Sequence, residues 1–371
     1  MGDTQKYTRP NVPNLRFPGF EGEWESRRIG EDCAVNMCKR IFANQTSEQG
    51  DVPFFKIGTI GGTPDAYISR DLFEEYKAKY NYPSKGEVMI TCAGTVGKTI
   101  VFDGEDAYFQ DSNIVWLSNP KQLYINPFLN YVLSRVNWNK LNSTTITRIY
   151  NDNLRELVIN YPSVKEQEKI VALLSLLDQR ILTQNKVIEK YESLIKALSH
   201  EIIGKHAPNI MLSECVHCAS STLKESELAE AGAVPAYGAA GISGFTDSAL
   251  SGGDSILITK DGSGVGSLRY VNGPHSFVGT INSMTPKDGI YLPYIYYALQ
   301  NVCFETYRTG QAIPHIYFRD YGKEAIYCPV YDDQKRLAKR LELLDAKIGI
   351  ERAVLRNLQS AKAFLLSGMF I

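Results

Sequence analysis

The chain has 371 residues, a formal net charge of −1, 44% hydrophobic and 22% charged residues, which fits a globular, soluble protein and excludes disordered and fibrous classes. Its length predicts two or more domains. No apolar run approaches the roughly 20 residues of a membrane span, and "MGDTQKYTRPNVPNLRFPGFEGEW" has no signal-type segment, so a cytoplasmic location is expected.

In chain order, the first half opens with short runs such as "VPFFKIGTIGG" (52–62), "EVMITCAG", "KTIVFDG" and "NIVWLSN". Bounded by Gly, Asp and Asn, they read as short strands joined by turns. "INPF" (125–128) opens a helix, "PFLNYVLSRV", with its proline where no backbone donor is lost. "YPSVKEQEKI" (161–170) then starts a long helix. Ile170, Leu174, Leu177, Ile181, Gln184, Ile188, Tyr191, Ile195 and Leu198 follow strict 4,3 spacing, a coiled-coil seam rather than a helix lying on a sheet.

The second half repeats this order. "VPAYGAAGISG" (234–244) matches 52–62 at an offset of 182, and "SILITKDG", "SLRYVNG" and "TINSMTP" supply the short runs. "CPVYDDQKRL" (328–337) stands where "YPSVKEQEKI" stood, at an offset of 167 that pairs Ile149/Ile316, Tyr150/Tyr317, Pro162/Pro329, Gln167/Gln334, Leu174/Leu341 and Asp178/Asp345. The chain is an internal duplication. The change of offset places about 15 extra residues in the first half, within 63–87. The second seam, Leu337, Leu341, Leu344, Ile348, Glu351, Leu355, Leu358, Lys362 and Leu365, carries Glu351 at the place of Gln184. Such a polar position sets register, so the two helices are expected to pair with each other, as a rod near 60 Å long.

The sequence offers no catalytic constellation. "CAGTVGKT" (92–99) has Cys92 where a phosphate loop needs its first glycine, so Gly94 and Gly97 read as tight turns. "INPF" lacks the tetrapeptide and methyl-donor loop of a DNA methyltransferase, and no metalloprotease, nucleophile-elbow or paired metal-carboxylate motif occurs. Seven scattered cysteines suit reduced thiols. Cys215 and Cys218 have ligand spacing without a second pair, so they read as small buried thiols rather than a zinc site.

The opening "VPNLRFPGFEGEWESRRIGE", the glycine pattern "GEVMITCAGTVGKTIVF" and the twice-used strand, proline, glutamine and long helix resemble the specificity subunit of type I restriction-modification systems, over essentially the whole chain. The resemblance implies an α+β fold of two tandem, similar, mainly-β recognition domains, each followed by a long helix, the helices pairing as an antiparallel coiled coil. The expected boundaries are 1–161 and 205–328 for the recognition domains, 162–204 and 329–371 for the spacer helices. It further implies a non-catalytic subunit that reads a bipartite asymmetric site on double-stranded DNA and recruits two methyltransferase subunits and the restriction (translocase) subunits. No cofactor is expected on this chain; S-adenosylmethionine, ATP and magnesium belong to the partner subunits.

The family fixes no list of base-contacting residues, so these are inferred physically. Phosphates call for cationic donors and base edges for planar bidentate groups. Any DNA face must be local, since 331–371 holds 8 basic against 5 acidic residues and 207–330 holds 7 against 11. "NSTTITRIYNDN" (142–153) and "YRTGQAIPHIYFRD" (307–320) concentrate such groups. The candidates are Arg148, Asn151 and Asn153 in the first, Arg308, Gln311, His315 and Arg319 in the second, with Lys98, Lys260 and Arg269 as phosphate contacts. Gln167 and Gln334 are expected to stabilise the domain–helix junction or face the methyltransferase, not DNA. The rival readings are a tandem protein-binding adaptor and a nucleotide hydrolase using Lys98.

Overall fold

The computed structural model describes residues 11–138, 148–310 and 313–371. The chain forms two compact units, Met1–Ile181 with Asn357–Ile371, and Leu182–Arg356.

The first unit contains β1 (Glu25–Arg28), α1 (Ile29–Asp32), β2 (Ala34–Met37), β3 (Val52–Phe55), β4 (Tyr67–Ile68) and α2 (Arg70–Lys79). There follow β5 (Val88–Thr91), β6 (Thr99–Val101), β7 (Tyr108–Phe109), β8 (Ile114–Ser118), α3 (Asn126–Arg135), α4 (Asn151–Glu156), β9 (Val158–Tyr161) and the start of α5 (Val164–Ser199). An antiparallel sheet of order β2-β8-β5-β6 stands beside a three-stranded sheet β4-β3-β7, in which β3 and β7 run parallel, while β1 pairs with β9. Every residue of β5 is buried. The reason is two-sided packing: Val88 and Ile90 join Phe128, Leu129 and Leu133 of α3, whereas Met89 joins Phe54, Tyr108 and Phe109 of the smaller sheet. Alternate residues of a strand point to opposite faces, so covering both faces selects a continuous apolar run.

The second unit repeats the plan. It contains β10 (Ile210–Met211), α6 (Leu212–Cys215), β11 (Val216–Ser220), β12 (Val234–Gly238), β13 (Gly241–Thr246), β14 (Ser255–Thr259), β15 (Leu268–Val271), β16 (Ser276–Phe277) and β17 (Ile281–Pro286). After them come α7 (Leu292–Leu299), α8 (Phe318–Tyr321), β18 (Ala325–Ile326) and α9 (Tyr331–Met369). Its sheets, β11-β17-β14-β15, β13-β12-β16 and β10-β18, match those of the first unit strand for strand, including the parallel pair β12·β16. Among the strands and α-helices described, α2 has no counterpart, and it lies within the expected extra residues. Ser69 caps it, its Oγ accepting from Leu72 N at 3.3 Å, and Phe73 anchors it edge-on against Tyr82.

The two long helices begin at Val164 and Tyr331, two residues after Pro162 and Pro329. Both prolines therefore lie just outside the first turn rather than within it. Every seam position from Ile170 to Leu198 and from Leu337 to Leu365 is buried or half-buried. In the second unit Ile188 and Ile195 share a core with Leu341 and Ile348, and Gln184 Nε2 donates to Glu351 Oε2 at 2.5 Å and to Glu351 O at 3.1 Å. The two polar seam residues thus meet each other.

In the first unit Ile170 and Leu174 pack with Met369 and Phe370. Phe370 stacks on Phe128 at 5.3 Å and meets Trp24 edge-on at 6.3 Å. The segment before β1 closes this unit: Leu15 N donates to Gly368 O at 2.8 Å, and Arg16 holds both oxygens of the buried Glu166 carboxylate at 2.8 Å.

Candidate nucleic-acid interface

In each unit the end of the central strand is tied to the segment preceding the last short helix. After β5 the chain turns through Gly94 (φ 64°) and Gly97 (φ 82°); after β14 it turns through Gly262 (φ 96°) and Gly266 (φ 84°). These left-handed conformations favour glycine, and space demands it too: a Cβ on Gly97 would stand 2.1 Å from Trp138 Cδ1, and one on Gly266 2.7 Å from Phe304 Cβ. The expected tight turns are confirmed. Just before each turn, the carbonyl that follows the strand accepts from an isoleucine, Ile149 N to Cys92 O at 2.8 Å and Ile316 N to Lys260 O at 2.9 Å. Both isoleucines are buried, so the residues on either side are held at the surface by an anchored backbone.

On this frame the candidates fall as follows. Arg148 donates to Ser112 Oγ at 3.1 Å and lies 5.9 Å from the centre of the Tyr150 ring. Asn151 opens α4, and Asn153 turns its oxygen inward to accept from Tyr150 N at 2.9 Å. That oxygen is a helix cap, so only the amide nitrogen of Asn153 remains to meet a base. Lys98 Nζ donates to Ile60 O at 2.5 Å, tying its charge to the neighbouring loop rather than to a phosphate-binding turn.

In the second unit Lys260 directly follows β14 near His315, whose backbone bridges to Thr309 and Asp261. Arg308 pairs with Glu305 at 2.6 Å. The Arg319 side chain is 77% exposed and lies 4.6 Å over the Tyr317 ring. Arg269 sits on β15, 5.9 Å over Tyr237, on the strand rather than in the loop cluster. Gln311 lies outside the described residues. The structure thus gathers Lys260, Arg308, His315 and Arg319 around one loop, and Arg148, Asn151 and Asn153 around its counterpart. It also brings Tyr150, Tyr317 and Ser112 there, which composition-based selection of cations and amides passed over.

The cysteine pair is turned inward. Cys215 is buried, its thiol pushed well up by the hydrogen bond with Cys328 and then by burial; Cys218 lies 3.8 Å from the Tyr321 hydroxyl, with burial raising it to about 11. Among the described residues no group of three or more His, Cys, Asp or Glu is arranged to hold a metal ion.

The repeated glutamines lie at the junction. Gln167 Oε1 accepts from Ile125 N at 2.8 Å while its Nε2 donates to Leu123 O at 2.8 Å and Pro162 O at 2.9 Å. Gln334 does the same with Tyr291 N at 2.8 Å, Gly289 O at 3.3 Å and Pro329 O at 2.8 Å. Each fastens the first turn of a long helix to the loop that opens α3 or α7. A second matched bond follows three turns on, Tyr131 Oη to Asp178 Oδ2 at 2.7 Å and Tyr297 Oη to Asp345 Oδ2. Burial, first, raises the Asp345 carboxyl, against the Tyr297 bond that lowers it. Of the two roles expected for these glutamines, the geometry supplies the junction.

The sequence model of the type I restriction modification DNA specificity domain matches twice, over residues 21–192 and 214–360. The chain belongs to this family. It is 51% identical over 146 residues to a Haemophilus influenzae protein named as a type I restriction enzyme specificity subunit, a match taking in 39% of this chain and 38% of that one. A Mycoplasma pneumoniae protein named as a type I specificity subunit is 26% identical over 77% of this chain and 83% of its own. Among solved structures, the S subunit of a type I restriction-modification system from M. genitalium superposes with a TM-score of 0.62 at 22% identity, over 97% of this chain and 99% of that one.

Proposed function

We propose that this chain is the non-catalytic, sequence-specific DNA-recognition subunit of a type I restriction-modification complex, reading a bipartite, asymmetric double-stranded site with its two units. The observation that carries the reading is one frame used twice with different side chains. Ile149 and Ile316 hang on the same strand-end carbonyl, yet Arg148 is replaced by His315 and Asp152 by Arg319 at the 167-residue offset. A common scaffold with unlike exposed donors is what reading two different half-sites requires. Lys98, Arg148, Asn151, Asn153, Lys260, Arg269, Arg308, Gln311, His315 and Arg319 are the proposed DNA contacts.

In this reading residues 1–161 and 205–328 are the recognition domains, and 162–204 and 329–371 are spacer helices forming an antiparallel coiled coil. Two methyltransferase subunits and the restriction subunits are its partners, and S-adenosylmethionine, ATP and magnesium act there. Support for a helical partner comes from apolar residues lying outside the seam. Leu343, Ile350 and Val354 on α9, and Leu182 and Leu194 on α5, are exposed within the second unit, at positions a further packed helix would cover. The tandem-adaptor reading gains nothing, because both family matches are to a DNA specificity domain.

Methylome sequencing of a strain expressing this chain with its methyltransferase subunit tests the proposal. One modified bipartite sequence is expected, and the purified complex should bind it with log affinity falling linearly in log salt. Equal affinity for scrambled DNA refutes it.

A further inference from the structure

Tyr150 and Tyr317 are matched by the internal duplication, and the two rings stand in the same local setting. Each occupies the N-cap position of a short helix, α4 or α8, and neither side chain makes a capping bond. Ser, Thr, Asp or Asn is favoured at that position because its oxygen satisfies a free helix amide, and tyrosine offers no such service. Each ring is nonetheless at the surface, Tyr150 60% and Tyr317 44% exposed. Among the described residues neither hydroxyl has a hydrogen-bond partner. The position immediately before each is the buried isoleucine fastened to the strand end, so the rings stand on a fixed base.

Cationic and planar groups flank both rings. Arg148 reaches to within 5.9 Å of the Tyr150 ring centre from two positions before it. At Tyr317 the place two before belongs to His315, edge-on at 5.0 Å, and Arg319, two after, lies over the ring at 4.6 Å. Two matched rings left exposed on an anchored backbone, each with cationic or planar groups against it, mark a functional position. The chemistry on offer is a π-face with a guanidinium beside it. That suits a nucleobase or deoxyribose against the ring while the guanidinium meets the adjoining phosphate.

We infer that Tyr150 and Tyr317 are paired DNA-stacking residues, one per half-site, each placing its ring against a base or sugar of the target duplex. This rests on the DNA-recognition reading above and adds a contact class absent from it. Stacking tolerates any base face, so the tyrosines contribute affinity and local distortion of the duplex, leaving base identity to the polar residues beside them.

The test uses the full chain with its methyltransferase subunit and a library of synthetic duplexes carrying a randomised segment, from which the wild-type complex selects a consensus. On that consensus duplex Tyr150→Ala and Tyr317→Ala should each weaken binding by roughly five- to a hundredfold, the range that loss of one stacked base gives. Tyr150→Phe and Tyr317→Phe should bind like wild type, because the ring and not the hydroxyl is used. Replacing one nucleotide of a half-site by 2-aminopurine should give a fluorescence change with the wild type that the matching alanine variant abolishes. Thermal melts matching wild type guard against misfolding, and both positions are exposed. If the wild type selects a bipartite consensus and the alanine variants bind it equally well, the stacking role is refuted while DNA recognition stands. If the wild type selects nothing, both fall.

Discussion

Replacing Gln334 by alanine isolates the energetic weight of the junction. The side chain is 1% exposed and engages two carbonyls and one amide. Truncation leaves the carbonyls of Gly289 and Pro329 and the amide of Tyr291 without their partner. A buried unsatisfied group costs about 1–3 kcal/mol. The low end applies where water reaches the vacated space, so three groups give about 3 kcal/mol. For a unit of this size each kcal/mol moves the midpoint by about 2–4 °C, so calorimetry of the full chain should find one transition lowered by about 6–12 °C. Gln334→Glu keeps the volume and offers a sharper control. Its carboxylate still accepts from Tyr291 N but presents lone pairs to two carbonyls, so it should be at least as destabilised near neutral pH and recover on acidification as the protonated acid regains a donor. Gln167→Ala should shift the other unit's transition by a similar amount. A Gln334→Ala melt within about 2 °C of wild type, or a Gln334→Glu melt with no pH dependence beyond that of wild type, would refute the reasoning.

Gly97→Ala and Gly266→Ala both force a left-handed backbone and drive a methyl into Trp138 or Phe304; each should lower its unit's midpoint, with a cost of about 1–3 kcal/mol by denaturant titration. Arg16→Ala strands the Glu166 carboxylate, 2% exposed, and should cost about 3 kcal/mol, with Arg16→Lys restoring little because the bidentate fork is lost. For Asp32, burial pushes the carboxyl up, but hydrogen bonds from Lys121 and Tyr124 and the charges of Arg27 and Lys121 outweigh it and hold it below its usual 3.8. A depressed folded value means stability present above 3.8 and lost as pH falls through the folded value. Asp32→Asn should therefore be less stable than wild type at pH 7, with the gap closing in melts taken below 3.8; a gap constant with pH would contradict the assignment.

What the sequence made legible was whatever repeats or has a period. The 167-residue offset located the glutamines, the helix starts and Asp178/Asp345, and the 4,3 spacing located a seam that the structure buries or half-buries at every position. The change of offset anticipated α2. Tertiary accidents were not legible. β4, β7 and β16 have two residues each, too few to show an alternation, and the parallel pairing of Phe54 with Tyr108 joins residues over 50 positions apart. Arg16 looked like one cation among 40, since nothing local announces that its carboxylate partner lies 150 positions on. Among the interface candidates, Asn153 and Lys98 have the right chemistry, but local bonds to Tyr150 N and Ile60 O engage them. Tyr150/Tyr317 was visible as a matched pair, yet a matched aromatic reads as core until its exposure is known.

The first unit is completed by residues 357–371, which arrive after the whole of the second unit, 182–356, has been made. On the ribosome the order of closure is therefore reversed relative to the order of synthesis. The second unit has all its core residues once Arg356 has emerged, while Trp24, Phe128, Ile170 and Leu174 await Met369 and Phe370. For that interval the nascent chain carries a finished unit beside an unfinished one whose apolar face is open to chaperones or to other chains. A frameshift or stop shortly after residue 356 would then damage the unit encoded first and leave the one encoded second with its core intact.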